Sequence, residues 1–307
     1  MRRTECLAAI ATTFLLLVPL AASAQKTVDV WPGVAPGSEH WTWQEKVFHD
    51  EFLGYHSKQI GTIVEDVVKP TLTVYLPARA SATGSGVIIA PGGACIALVM
   101  KPANELARML QSRGVAAFVL EYRLKRKLVQ GMPKNLSEDK ACRWGIADAV
   151  QALKVVRQHA KEWSVSPDRI GMLGFSAGGM IASEALVQKD AALRPNFVGL
   201  IYGAPFESMP IVPSKLPPVF MAWAQDDHTA GYAMARFYAA LMKAGDKPEV
   251  HIYRTGGHGF AANVRHGGTS DHWAEEFYWW LQAEGFADKA AARDTTATAG
   301  AAHDDHH

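Results

Sequence analysis

Apolar and polar positions alternate in blocks along this chain. Six short runs are apolar almost throughout: "GVIIAP" (86–91), "VAAFVLEY" (115–122), "RIGMLGF" (169–175), "FVGLIYG" (197–203), "PVFMAWA" (218–224) and, more polar, "PEVHIYR" (248–254). Between them lie stretches in which apolar residues return every three or four positions. The clearest runs from Trp144 to Trp163, with Ile146, Val150, Leu153 and Val156 or Ala160 on one face, the spacing of an amphipathic helix. Further helices are predicted over "PANELARMLQSRG" (102–114), from near Ala177, over "AGYAMARFYAALMKAG" (230–245) and from about Asp271 to Glu284. Apolar strands alternating with helices predict an α/β fold whose mostly parallel central sheet is covered by helices on both faces.

The region before this pattern is different. "VWPGVAPGSEHWTWQEK" (30–46), rich in proline, glycine and tryptophan, reads as an irregular arm laid on the body. "IGTIVEDVVKPTLTVYLP" (60–77) gives two β-branched runs broken at Lys69–Pro70, which predicts an antiparallel pair.

The ends carry no fold signal. Residues 1–24 combine Arg2 and Arg3, an apolar stretch from Leu7 to Leu20 and small residues at Ala22 and Ala24, the layout of a cleaved signal peptide. The expected product is exported, periplasmic or extracellular, without stable membrane insertion after cleavage. Residues 25–286 form the expected catalytic domain, and 287–307 a mobile low-complexity tail whose His303, Asp304, Asp305, His306 and His307 read as solvated. Loss of residues 1–24 removes Arg2, Arg3 and Glu5 and leaves a formally neutral chain, which offers nucleic acid no global electrostatic footprint. The basic run from Arg123 to Lys134 reads as a solvated face. Cys95 and Cys142 remain after cleavage and are able to pair in an oxidising compartment.

Candidate chemistry gathers where the predicted strands end, the place where sheets of this kind bind ligands. "GFSAGG" sets Ser176 in a strand-to-helix turn, with Gly174 and Gly178 making the G-x-S-x-G pattern of a nucleophile elbow. A serine hydroxyl needs a base. "YRTGGHGF" supplies His258 after the last strand, with His251 and His272 as weaker candidates. A base needs a carboxylate to orient it. "AWAQDDHTAG" supplies Asp227, preferred over Asp226, whose alternative role is to fix the loop; a metal site at Asp226, Asp227 and His228 lacks further ligands nearby. "APGGA" places Gly92, Gly93 and Ala94 after an earlier strand, where the N–H groups of Gly93 and Ala94, with that of Ala177, would hold an oxyanion.

From about Trp31 to Phe286 the chain resembles the secreted α/β-hydrolase esterases grouped with acetyl-xylan esterases, acetyl esterases and hormone-sensitive-lipase-like enzymes. The resemblance rests on "WPGVAPG", "VVKPTLTVYLP", "APGG", "AAFVLEYR", "SVSPDRIGMLGFSAGG", "AWAQDD" and "KAGDKPEVHIYRTGGHGF", in that order. It implies a serine carboxylesterase for small acyl esters, acetyl above all, working without a metal or organic cofactor, with a small-molecule or oligosaccharide ester such as acetylated xylan as substrate. The family's nucleophile, base, acid and oxyanion loop fall on Ser176, His258, Asp227 and Gly92 to Ala94. Relatives usually carry a third glycine at Ala94, and commonly a proline followed by β-branched residues at His228–Thr229. Two other readings are a prolyl-oligopeptidase-like peptidase, for whose propeller the chain has no length, and a non-catalytic carbohydrate-binding protein using Trp41 and Trp43 as sugar platforms.

Overall fold

The computed structural model describes residues 25–52, 55–56, 60–126, 138–205, 208–261 and 267–288. The expected signal peptide, nearly all of the tail and most of the basic run lie outside them. The strands are β1 (Lys26–Asp29), β2 (Lys46–His49), β3 (Glu51–Phe52), β4 (Tyr55–His56), β5 (Thr62–Glu65), β6 (Thr71–Tyr75), β7 (Gly86–Ala90), β8 (Ala97–Val99), β9 (Ala116–Glu121), β10 (Ile170–Phe175), β11 (Val198–Ile201), β12 (Val219–Ala224) and β13 (Glu249–Tyr253). The helices are α1 (Met100–Ser112), α2 (Glu138–Gln158), α3 (Ala177–Leu186), α4 (Gly231–Lys243) and α5 (Trp273–Ala283). No helix among the described residues is long and apolar enough to cross a membrane.

Eight strands form one sheet in the order β1-β6-β9-β7-β10-β11-β12-β13. The first two join antiparallel, and from β9 onward every neighbour is parallel. Central strands of such a sheet are covered on both faces, which is why β7, β10, β11 and β12 are buried at every position and read as unbroken apolar runs. α3 packs on β7, β10 and β11 beneath α2, so nine of its ten residues are buried. Its sequence, AGGMIASEAL, is accordingly apolar all round instead of amphipathic. On the other pair, Arg113 of α1 forms an ion pair with Glu275 of α5 and lies 4.5 Å over the Tyr278 ring.

The sequence pattern predicts the strands and helices of this sheet but mispairs one segment. β5 and β6 are both strands, yet they do not pair with each other: β5 lies between β2 and β8, whereas β6 lies between β1 and β9. The link between them holds Asp66 in the left-handed region at φ 59, and the Val67 carbonyl accepts a bond from Leu124 N at 3.2 Å. Those contacts turn the chain out of one sheet and into another before a hairpin can close. β8 is a strand the sequence pattern did not announce, because three residues are too few for a period.

The irregular arm is held by a buried ion pair. Arg123 and Asp148 are almost fully buried, with Arg123 Nη2 2.8 Å and Nε 3.0 Å from the Asp148 carboxylate. Arg123 Nη1 also donates to the Pro36 carbonyl at 2.7 Å, and Trp31 Nε1 to Asp148 at 2.7 Å. Burial raises the Asp148 pKa, against the opposing pull of Arg123. Arg123 therefore leaves the solvated basic face that the sequence suggests; it is a clamp between the arm and α2. Trp41 and Trp43 stack at 4.6 Å, and Trp41 meets Trp144 of α2 edge-on at 4.9 Å. Their rings are engaged with one another. Cys95 and Cys142 form a disulfide with Cα atoms 5.2 Å apart, joining the loop after β7 to α2.

Two stability predictions follow from these ties. Arg123→Ala leaves Asp148 buried without its partner, and is expected to cost about 3–5 kcal/mol in urea unfolding monitored at Trp fluorescence. The bridge spans a sequence separation of 47 residues, so chain-entropy reasoning gives a loss of about 4 kcal/mol for Cys95→Ala/Cys142→Ala. Unfolding midpoints of the oxidised wild type and the double variant check the second value.

Candidate active site

The site begins with a backbone reversal. Ser176 stands between β10 and α3 at φ 52 and ψ −119, a conformation that a residue with a Cβ rarely adopts. Such a conformation costs about 1–3 kcal/mol and persists only where the surroundings over-determine it. Here Ser176 N donates to Ile201 O at 3.0 Å, and its own carbonyl accepts from Gly179 N at 2.8 Å and Met180 N at 3.1 Å. The turn also needs room. A Cβ on Gly178 would overlap the carbonyl oxygens of Ala90 and Pro91, so the close approach of α3 to the end of β7 requires glycine there.

The reversal holds the Ser176 hydroxyl out toward the loops that leave β12 and β13. Ser176 Oγ is 2.8 Å from His258 Nε2, and His258 Nδ1 is 3.0 Å from Asp227 Oδ2. An ionised carboxylate only accepts, so Nδ1 carries the imidazole proton and Nε2 accepts the serine's. Asp227 is buried, and burial alone would raise its pKa. The hydrogen bonds from His258, Ala230 N and Thr229 N overcome that penalty and hold it below the ordinary carboxylate value. Both backbone donors lie 2.8 Å from Oδ1, which leaves Oδ2 for the imidazole.

Asp226 faces the other way. It is exposed, and its carboxylate accepts from Gly257 N at 2.8 Å and Gly256 N at 3.3 Å, bonds that lower its pKa. It therefore anchors the loop that carries His258 and does not touch the ring. The weaker histidines stay apart: His251 lies in β13 near Glu249 and Glu276, and His272 ends a short 3-10 turn before α5. Among the described residues no group of three or more His, Cys, Asp or Glu stands in a metal-holding cluster.

The loop after β7 emerges beside the serine, because Ala90 and Gly174 are partners in the β7–β10 register. Gly93, Ala94 and Cys95 all have positive φ, at 133, 53 and 55. Ala94 thus adopts the left-handed backbone that a glycine would take there, at a cost of about 1–2 kcal/mol. The loop is pinned by Ala97 N to Gly93 O at 3.0 Å, Val99 N to Gly92 O at 2.9 Å, Lys125 N to Cys95 O at 3.1 Å and the disulfide. Ala177, whose N–H is the third expected oxyanion donor, opens α3 directly after Ser176.

Tyr202 was not among the sequence candidates. It follows β11, is buried, and meets the His258 ring at 5.2 Å and 64°. Burial pushes its phenol well above the ordinary range. Its only sequence signal was its place at the carboxyl end of an apolar strand, shared by every residue that builds the site.

Known proteins resemble this chain in sequence and in fold. The family model described as BD-FAE matches residues 72–199, from β6 to β11. An acetylxylan esterase of Xylanibacter ruminicola is 26% identical over 237 residues, covering 66% of this chain and 46% of the relative. The human cocaine esterase is 28% identical over 199 residues, covering 62% and 34%. The chain thus spans less than half the length of these relatives. Among solved structures, an acetyl ester-xyloside bifunctional hydrolase from Caldicellulosiruptor lactoaceticus matches with TM-score 0.57 and 26% identity, over 71% of this chain and 89% of that one. MGS-M1, an alpha/beta hydrolase enzyme from a deep-sea metagenome library, matches in fold with TM-score 0.59 and 24% identity, over 71% and 93%. The chain has the α/β-hydrolase fold and resembles the acetyl-xylan esterases.

Proposed function

We propose that this chain is a serine carboxylesterase that removes small acyl groups, acetyl foremost, from carbohydrate esters such as acetylated xylan. The observation that carries the reading is the continuous hydrogen-bonded line from Ser176 through His258 to buried Asp227, built at the strand ends beside a loop of positive-φ residues. The acetylxylan esterase and the acetyl ester-xyloside bifunctional hydrolase to which the chain is similar support acetylated sugar as the substrate class.

In this reading His258 takes the Ser176 proton as Oγ attacks the ester carbonyl. The N–H groups of Gly93, Ala94 and Ala177 receive the oxyanion, which needs donors already aimed at it. His258 then returns the proton to the departing alcohol, leaving an acyl group on Ser176. Water, deprotonated by the same histidine, attacks that acyl-enzyme, and the acid leaves as Oγ regains its proton. Asp227 keeps Nδ1 protonated and stabilises the imidazolium while it exists. We also propose export through the leader at residues 1–24; the Cys95–Cys142 bridge supports an oxidising compartment.

The test is acetate release from an aryl acetate and from acetylated xylo-oligosaccharide. Wild type is expected to cleave both, and Ser176→Ala to lose about 10⁶-fold in kcat. Cleavage of the aryl ester alone removes the sugar assignment, and cleavage of neither removes the esterase reading. The two aspartates separate cleanly. Asp227→Asn disturbs the tautomer and should lower kcat by about 10⁴-fold, whereas Asp226→Asn keeps a carbonyl acceptor for Gly257 N and should stay within about tenfold. Steady-state kinetics on the aryl acetate measures both.

A further inference from the structure

Two hydrogen bonds hold the His258 imidazole, one at each nitrogen: Ser176 Oγ at Nε2 and Asp227 Oδ2 at Nδ1. Both act at the ring's edge, and neither bears on its faces. Gly256, Gly257 and Gly259 flank His258, all with positive φ, and the backbone is held through Gly256 N and Gly257 N at Asp226, two and one residues before the histidine. A contact against the ring itself adds a restraint on its plane. Tyr202 supplies one, with its ring centroid 5.2 Å from that of His258 and the two planes at 64°. Edge-to-face contacts at this spacing are favourable, by about 0.5–1.5 kcal/mol beyond area burial.

Tyr202 is itself held from several directions. Its N–H donates to Ala222 O at 2.8 Å, the Phe260 ring packs on it at 4.8 Å and 81°, and its phenol oxygen meets the backbone of Ala261. Its backbone sits at φ 38, unusual for a residue with a bulky side chain. The next residue explains why the chain turns there: a Cβ on Gly203 would overlap the Ser176 carbonyl, so this turn lies directly against the elbow. One turn therefore touches the serine's backbone with one residue and the histidine's ring with the other.

We propose that Tyr202 is a positioning residue, whose ring fixes the plane of the His258 imidazole relative to Ser176. The inference rests on the esterase reading and concerns kcat, since the Tyr202 ring is buried and its contact is with the imidazole. What acts is the ring; the hydroxyl serves only to anchor it.

Steady-state kinetics on an aryl acetate, with the rate of Ser176 labelling by a fluorophosphonate, tests this. Tyr202→Phe keeps the ring and should remain within about threefold of wild type in kcat. Tyr202→Met removes it while keeping most of the volume. It should lower kcat by about 10–100-fold, the scale of an ångström-sized misplacement, with KM within about twofold and labelling slowed in proportion. Phe277→Leu, a fully buried aromatic substitution outside the site, should lower the melting temperature with kcat within about threefold. Phe260→Leu withdraws the ring packed against Tyr202 and should give a smaller kcat loss at unchanged KM; it decides the matter if Tyr202→Met does not fold. An unchanged kcat in Tyr202→Met, a Tyr202→Phe loss as large as that of Met, or an equal loss in Phe277→Leu overturns this inference while wild type remains an esterase. Absence of hydrolysis by wild type overturns the esterase reading, and this inference with it.

Discussion

The backbone reversal at Ser176 is the constraint on which the rest of the structure depends. A serine at φ 52 relaxes unless each of its neighbours forbids it. The neighbours do so by crowding: β11 takes its N–H, the first turn of α3 takes its carbonyl, and Gly178 and Gly203 let two other backbones close in around it. That crowding dictates the sequence nearby. α3 has to be small and apolar where it meets β7, and the strands on either side of β10 have to be buried from end to end. The apolar runs from which the sheet is read and the glycines from which the elbow is read have the same cause.

A second constraint concerns charge. Adjacent aspartates, Asp226 and Asp227, have opposite surroundings, because the chain turns between them as β12 ends. Asp227 goes inward, where burial would raise its pKa were it not for two backbone N–H groups and the imidazole. Asp226 goes outward and holds the histidine loop by its backbone. One residue fixes the tautomer of His258 and its neighbour sets the position of the loop. Thr229 supplies one of the backbone donors that hold the Asp227 pKa down.

Much of this was legible in the sequence because it is written in local pattern. The parallel strands, the main helices, the G-x-S-x-G turn and the aspartate and histidine at later strand ends all depend on spacing and order, which a one-dimensional reading preserves. What was not legible depends on partners distant in the chain. β5 and β6 look like a hairpin until the left-handed Asp66 and the contact of Val67 with Leu124 are known. Arg123 looks solvated among its basic neighbours until Asp148 comes in from α2 to meet it. Tyr202 is one apolar residue among many until the fold brings His258 over it. The Cys95–Cys142 pairing was open for the same reason, since bridge geometry is a property of two segments and not of either alone.

These distant contacts join into one line of mechanical support. The arm is fastened to Arg123 and Asp148, Asp148 belongs to α2, and six residues earlier in that helix Cys142 grips Cys95 beside Ala94. α2 in turn lies on α3, whose first residue follows Ser176. The two segments expected to surround an oxyanion are thus both braced by the same helix, one through a covalent bond and the other through packing. Strain in the loop at Gly93 to Cys95 and strain at Ser176 are then resisted by a common element. Displacing α2 would loosen both at once, which gives a physical reason for a buried ion pair and a disulfide to be spent on a helix that contributes no residue to the relay.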